Sequence, residues 1–305
     1  MGWGLPHKGT CTMFSDLTIG FIGSGNMGEA MIQGLLSKAL VAPEQIIAAD
    51  PRVDRLAELR ERYGVQTTTD NLEAATKADI LVLSVKPQVL DAVLPEVRGG
   101  ARTCSLVISI VAGAPIRKIA DGLANAFVVR VMPNTPARIG LGMSVWTATA
   151  EVPEPQREQA RAFLQALGEE VYVKDEDYLD MATALSGTGP AYVFLFMEAL
   201  VDAGVHLGFS RHVAEKLVLQ TMRGSVEYAA RVEGHLAELR NQVTSPGGTS
   251  AEALYQLEKG GLRTVIARAV WAAYQRSVSL GGGQKVSRLA GRHPDDNGES
   301  NFGGG

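Results

Sequence analysis

The chain has 305 residues, 46% of them hydrophobic and 20% charged, with a formal net charge of −4. That length allows one large domain or two medium ones with real cores, and the composition is that of an ordinary globular protein. No basic stripe points to nucleic acid and no block of like charge points to an interaction tail, so a small ligand is expected rather than a polymeric one.

Residues 1–15, "MGWGLPHKGTCTMFS", lack the apolar core of a signal peptide. With residues 283–305 they read as frayed ends. No apolar run is read as long enough to span a membrane. The two cysteines, Cys11 and Cys104, sit in unrelated settings, so no disulfide framework is expected and a reducing, cytoplasmic setting is. The histidines show no metal-ligand spacing, and no metal is expected.

The first half alternates between strand and helix patterns. Leu17–Ile22 is strand-like, Met27–Leu40 has helical spacing, Ile46–Ala49 is a short strand, and Arg52–Tyr63 is helical with mixed charge. Ile80–Val85, Leu106–Ile110 and Phe127–Met132 are β-branched or Leu runs of the kind found in buried parallel strands. Alternation of this kind predicts a doubly wound parallel sheet over 16–177. No proline falls between Pro190 and Pro246 or between Pro246 and Pro294, and Ala191–Leu207, Arg211–Arg231, Ala251–Lys259 and Leu262–Leu280 all read as helices. A helical domain over 178–282, with the boundary near Asp177, is the simplest layout. Ala191–Leu207 is almost wholly apolar and is expected to be buried on most faces.

Gly23, Gly25 and Gly28 form G-x-G-x-x-G between the first strand and the first helix. In that context Gly23 permits the tight turn, Gly25 admits a pyrophosphate to the backbone, and Gly28 lets the helix pack on the strand. The unpaired N–H groups at the helix start favour phosphate. Asp50 ends the second strand, where an acid would take the adenosine ribose hydroxyls and favour NADH. Arg52 and Arg55 follow at once and could take a 2′-phosphate, favouring NADPH, or could belong to a solvated helix face. "SVKPQ" (Ser84–Gln88) and "SIVAG" (Ser109–Gly113) follow later strands and could line the ligand crevice, and "MPNTP" (Met132–Pro136) is a rigid turn at the next strand end.

Two stretches in the helical half stand out. "LSGTGPAY" (Leu185–Tyr192) and "VTSPGGTS" (Val243–Ser250) each place hydroxyls and glycines at an expected helix start, where free N–H groups can bind a carboxylate. Ordinary N-capping explains either stretch alone. No triad or acid–base pair lies nearby. Hydride transfer to a protonated imine needs positioning more than a strong acid, whereas a ketone would want a Lys, His or Tyr donor.

"FIGSGNMGEAM", "VKPQ", "MPNTP", "LSGTGPAY" and "VTSPGGTSAEALYQLEKGG", in this order, resemble pyrroline-5-carboxylate reductases over roughly Leu17–Leu280. The "TSPGGTS" segment is much more specific than the glycine turn. The resemblance implies a Rossmann domain followed by an all-α dimerisation domain, similar to 6-phosphogluconate dehydrogenases. It implies reduction of L-1-pyrroline-5-carboxylate to L-proline with NADPH or NADH, by a homodimer that in this family often assembles further, commonly into decamers. Carried over by motif, Ile22, Gly23, Ser24, Gly25, Asn26 and Met27 hold the pyrophosphate, with Asp50 and Asn71 near the adenosine. Ser84, Val85, Lys86, Pro87, Ile110, Val111 and Ala112 line the cofactor site. Ser245, Gly248, Thr249 and Ser250 bind the substrate carboxylate and ring nitrogen, with Ser250 the catalytic residue, and Glu233 helps hold that loop or the substrate. The family usually has Thr where this chain has Ser250, and some members have a small hydroxyl residue in place of Asp50, which leaves cofactor preference open. A related β-hydroxyacid dehydrogenase would carry a catalytic Lys on the helix after its glycine-rich segment, and Ala191–Leu207 holds none. A cofactor-binding protein without chemistry would have no use for an intact "TSPGGTS".

Overall fold

A computed structural model describes residues 13–282. The expected tail, most of the expected leader, and Cys11 lie outside those residues.

The first half is built as strand–helix pairs. β1 (Ile19–Ile22) leads into α1 (Asn26–Ser37), β2 (Ile46–Ala49) into α2 (Val53–Tyr63), and a short β3 (Gln66–Thr68) into α3 (Asn71–Lys77). β4 (Ile80–Leu83) and α4 (Leu90–Ala101) follow, then β5 (Leu106–Ser109) and α5 (Ile116–Leu123). β6 (Val128–Met132), β7 (Gly142–Ala148), α6 (Glu154–Gln165), β8 (Gly168–Tyr172) and α7 (Asp177–Ala182) complete this half. The strands form one sheet in the order β3-β2-β1-β4-β5-β6-β7-β8. β1 to β6 are mutually parallel, β7 is antiparallel to β6, and β8 is parallel to β7.

The two-residue period of a strand sends neighbours to opposite faces. Ile19 and Phe21 join one core with Met31, Ile32, Leu35 and Phe163, while Ile22 joins another with Ala74, Leu94, Val97 and Ile119. Both faces are therefore covered by helices, as the strand-like runs required. The sequence reading missed β3, β7 and β8. β3 is three polar residues, and β7 and β8 have alternating or mixed burial rather than a long apolar run. "SVKPQ" follows the fourth strand in the chain.

The chain divides into two compact units. One holds the residues up to Gly187 together with those from Tyr274 onward, and the other is Thr188–Ala273. The first unit runs on to Gly187 because α7 and the π-helical turn Thr183–Gly187 are tied into it. Asn134 Nδ2 donates to the Ser186 carbonyl at 3.1 Å. Ser277 Oγ donates to the buried Asp180 Oδ1 at 2.7 Å.

The second unit starts with α8 (Gly189–His206) and α9 (Arg211–Arg231), followed by α10 (Leu236–Gln242) and α11 (Thr249–Lys259), and α12 (Leu262–Leu280) begins in it. α8 and α9 approach closely where Gly204 faces Ala214. α10, absent from the sequence reading, is capped at its start: His235 Nδ1 accepts from the Ala237 N–H at 3.1 Å, and the Glu238 carboxylate accepts from the His235 N–H at 3.2 Å.

The expectation that α8 is buried on most faces does not hold within one chain. Val201 is its only buried residue, and Phe194 and Leu195 are 60% and 67% exposed. α7, the π turn and α8 also run on as one helix, Asp177–His206. Its 30 residues and hydropathy of 1.3 are long and apolar enough, by length and composition alone, to cross a membrane, contrary to the sequence expectation. The sequence reading started the helix at Ala191, whereas here α7 and the π turn run into it without a break.

Cys104 is a free, buried thiol that donates to the Ala78 carbonyl at 3.2 Å. Burial, with the charge of Asp79, pushes its pKa up to about 12. In a Cys11→Ser background, Cys104 is expected to resist a colourimetric thiol reagent at pH 8 and to react fully once denaturant unfolds the chain. Rapid reaction in the folded protein would contradict this burial.

Candidate functional site

The strand order reverses between β1 and β4, and in open α/β sheets the ligand crevice lies outside the carboxyl ends of the strands at such a switch point. Gly23, Ser24 and Gly25 follow β1 there, and Ser84–Pro87 follow β4. The two loops are stitched together: Ser84 N–H donates to the Ile22 carbonyl at 2.9 Å and Ser84 Oγ to the Gly23 carbonyl at 2.5 Å.

The three glycines have separate reasons. Gly23 has φ +88°, and a Cβ there would lie 2.8 Å from Val85. A Cβ on Gly28 would lie 2.8 Å from the Gly23 carbonyl, so the third glycine sets how closely α1 meets the turn. A Cβ on Gly25 would meet nothing within 4 Å. Gly25 is the N-cap of α1 and no side chain caps the helix. Its first N–H groups therefore face open space, which suits an anion.

Side chains around this turn point in different directions. Asn26 is exposed at the first position of α1. Ser24 is fully buried, its hydroxyl bonded to the Ala49 carbonyl at 3.2 Å, so it shapes the turn rather than meeting a ligand. Ile22 and Val111 belong to the core under the sheet, and Met27 and Val85 pack partly against the cores. Lys86 and Pro87 are exposed, and Ile110 and Ala112 are half-buried beside the end of β5. Asn71 opens α3 and donates to Glu96 Oε2 at 3.1 Å. The Ala49–Thr68 register brings the end of β3 beside Asp50, whose N–H donates to the Thr68 carbonyl.

Asp50 is nearly buried and faces the turn. Its carboxylate accepts from Ser24 N at 3.0 Å, and from Arg52 N, Nε and Nη2 at 3.1, 2.9 and 3.1 Å. Burial pushes the Asp50 carboxyl up, but the hydrogen bonds from Arg52 and Ser24 outweigh it and hold the pKa below the ordinary value. Arg55 does not stand free for phosphate. It donates to the Ser24 carbonyl at 2.9 Å and to Glu58 at 3.0 Å, and it pairs with Glu29. Glu29, on α1, also takes Arg62 and the Tyr63 hydroxyl. Burial raises the Glu29 pKa, but Arg55, Tyr63 and Arg62 together bring it below the ordinary value.

In the second unit, the N-cap of α11 is Gly248, with no side-chain cap, so the hydroxyl N-capping weighed from the sequence does not occur. Thr249 and Ser250 are the first two helical residues. Ser245 lies beneath: a Cβ on Gly248 would meet Ser245 Oγ at 2.5 Å. Gly247 turns the loop with φ +71°. Among the described residues the Ser245, Thr249 and Ser250 hydroxyls have no hydrogen-bond partner. Glu233 is exposed between α9 and α10 and makes no hydrogen bond to this loop; the acid engaged nearby is Glu238. "LSGTGPAY" does not open a helix from a loop either, since it continues one through the π turn. No group of three or more His, Cys, Asp or Glu side chains among the described residues is placed to hold a metal ion.

A family model described as pyrroline-5-carboxylate reductase dimerisation matches residues 176–280, and one described as NADP oxidoreductase, coenzyme F420-dependent, matches 18–113. The pyrroline-5-carboxylate reductase of a Synechocystis strain is 44% identical over 87% of this chain and 99% of its own length. That of Pseudomonas aeruginosa is 41% identical over 86% and 96%. The chain belongs to the pyrroline-5-carboxylate reductase family. Among solved structures, the Plasmodium falciparum pyrroline carboxylate reductase with NADP bound superposes with a TM-score of 0.80 at 33% identity, over 87% of this chain and 98% of that one. The Coxiella burnetii pyrroline-5-carboxylate reductase gives 0.79 at 38% identity, over 87% and 98%. The family match at 176–280 runs from the entry to α7 to the end of α12, so it contains the α11 opening and the exposed face of α8.

The sequence reading did not find the Glu29–Arg55–Arg62–Tyr63 cluster. Its one signal was a lone acid directly after the third glycine, on the strongly apolar start of α1. Removing it by Glu29→Ala would leave Arg55 without its buried partner and is expected to cost about 2–4 kcal/mol in denaturant unfolding. Because the folded Glu29 pKa is depressed, its stabilisation is present above the ordinary carboxylate pKa of about 4.3 and is lost as pH falls through the folded value. The glycines make a sharper pair. Gly28→Ala should destabilise the fold. Gly25→Ala, which meets open space, should cost less than about 1 kcal/mol as an N-cap change yet weaken dinucleotide binding at least tenfold in a fluorescence titration. Unchanged binding would remove Gly25 from the site.

Proposed function

We propose that this chain reduces L-1-pyrroline-5-carboxylate to L-proline with NADPH or NADH, the final step of proline biosynthesis. The observation that carries the substrate half of this reading is the opening of α11. An uncapped helix start, a glycine at the N-cap and three unpartnered hydroxyls lie together within the segment that matches the family. Such a start is suited to a carboxylate, and the substrate carries one next to its C=N bond. The cofactor half rests on the Gly25 cradle and the uncapped start of α1.

The chemistry asks for placement. The reduced nicotinamide supplies the hydride. Backbone N–H groups of Gly25, Asn26 and Met27 hold the pyrophosphate, with Ile22, Gly23 and Ser24 forming the turn by their backbones. Asn71 lies on the adenosine side, and Ser84, Val85, Lys86, Pro87, Ile110, Val111 and Ala112 border the crevice. Gly248, Thr249 and Ser245 hold the substrate carboxylate, and Ser250 Oγ hydrogen-bonds the ring nitrogen. The imine enters already protonated on nitrogen; its carbon accepts the hydride while the C=N π pair becomes the nitrogen lone pair, and the secondary amine so formed takes its second proton from water, so no side-chain acid is required. Glu233 is left a supporting role at most.

The exposed apolar face of α8 supports a homodimer. A groove of about 400 Å³ lined by Leu195, Phe196, Met222, Val265 and Ile266 continues it, and so large an apolar surface is ordinarily covered by a partner. A further assembly, up to a decamer, is the family's habit. The free Cys104 thiol is in keeping with a reducing, cytoplasmic setting.

The deciding assay follows NADPH and NADH oxidation with L-1-pyrroline-5-carboxylate while proline is measured. Turnover with proline formed supports the reading; cofactor bound but not oxidised overturns it. Ser250→Ala is expected to lower kcat about 10- to 1,000-fold with the fold intact, and normal turnover would remove Ser250 from catalysis. Sedimentation should give a dimer or a multiple of it, and a monomer at micromolar concentration would count against the α8 interface.

A further inference from the structure

We propose that Arg52, held in place by Asp50, makes this chain select the 2′-phosphorylated cofactor, NADPH, over NADH; this rests on the dinucleotide reading of the glycine turn. The end of the second strand is where the adenosine ribose of a dinucleotide lies. Asp50 and Arg52 stand there, and an acid and an arginine ordinarily argue for opposite cofactors. The hydrogen-bond count separates them.

A carboxylate has about four lone-pair positions. Those of Asp50 are taken by Ser24 N, Arg52 N, Arg52 Nε and Arg52 Nη2. A ribose hydroxyl can enter only by breaking one of these bonds. Three of them come from one residue that chelates the acid, so displacement is costly.

Arg52 is in the opposite state. A guanidinium carries five N–H donors. Asp50 takes the Nε proton and one from Nη2, leaving three donors on the far edge. The side chain is 57% exposed, so that edge faces solvent. The bidentate grip fixes the planar group in advance, and little rotamer freedom remains to be lost when a phosphate docks. Arg55, the other candidate, is withdrawn: its donors go to the Ser24 carbonyl, Glu29 and Glu58. Asp50 is thus the anchor and Arg52 the reader.

The test is a fluorescence titration of the full chain with NADPH and with NADH, without imine substrate. NADPH is expected to bind about 10- to 100-fold tighter, the range of one or two hydrogen bonds to a charged group. Rising salt should weaken NADPH more than NADH. Arg52→Gln should remove most of the difference by weakening NADPH far more than NADH, and Arg52→Lys should restore part of it. Asp50→Asn should also weaken NADPH, because Arg52 loses its anchor. NADH binding as tightly as NADPH to the unaltered chain, an unchanged ratio in Arg52→Gln, or a gain for NADPH in Asp50→Asn would each overturn the assignment. Binding of neither cofactor would overturn the dinucleotide reading with it. Selective NADPH binding without reduction of L-1-pyrroline-5-carboxylate would leave the assignment standing and unseat only the substrate.

Discussion

The nucleotide-binding half of this protein depends on one carboxylate. Asp50 ends β2 and is reached by the backbone N–H of Ser24, in the turn after β1. Where these two neighbouring parallel strands end, Gly23 N–H and Ser24 Oγ both donate to the Ala49 carbonyl. Asp50 adds a charged bond across the same gap, and it is buried enough for that bond to be strong. A turn held this way can leave its next N–H groups empty without collapsing around them.

A second acid works from the other side. Glu29 on α1 gathers Arg55, Arg62 and Tyr63 from α2, and Arg55 passes the hold back to the Ser24 carbonyl. The N–H and carbonyl groups of Ser24 are therefore both satisfied by side chains drawn from the β2–α2 segment. The α11 opening achieves its shape by different means. There the tightness of Gly248 over Ser245 and the left-handed Gly247 set the loop, with no charged brace. A rigid charged cradle suits a large cofactor common to many enzymes, and a bare backbone hook suits a small acid.

Most of the sheet was legible in the sequence because buried parallel strands are apolar on both faces. Ile46–Ala49 and the helices Arg211–Arg231 and Leu262–Leu280 fall where periodicity put them. β3, β7 and β8 were hidden because they are short or mixed in polarity rather than long apolar runs, and α10 because seven residues make only about two helical turns, too short a window to establish a period. The glycine turn was legible from spacing and context. The occupation of Asp50 and the withdrawal of Arg55 were not, since both depend on which hydrogen bonds form across 26 and 31 residues of sequence. The apolar character of α8 was read correctly from its residues, yet its exposure was not, because hydrophobicity does not say whether the covering surface belongs to the same chain.

α12 starts in the second unit and ends in the first, where Ser277 meets Asp180 and Leu280 lies against Gly113. The first unit is consequently discontinuous in the chain. On the ribosome it is not complete when its own strands have emerged, because its last helical turns are made after the whole of the second unit. At roughly 5–20 residues per second, that delay is on the order of ten seconds. During it, Asp180 and the loop after β5 await their final partners, so the nascent first unit matures only once the second has been synthesised.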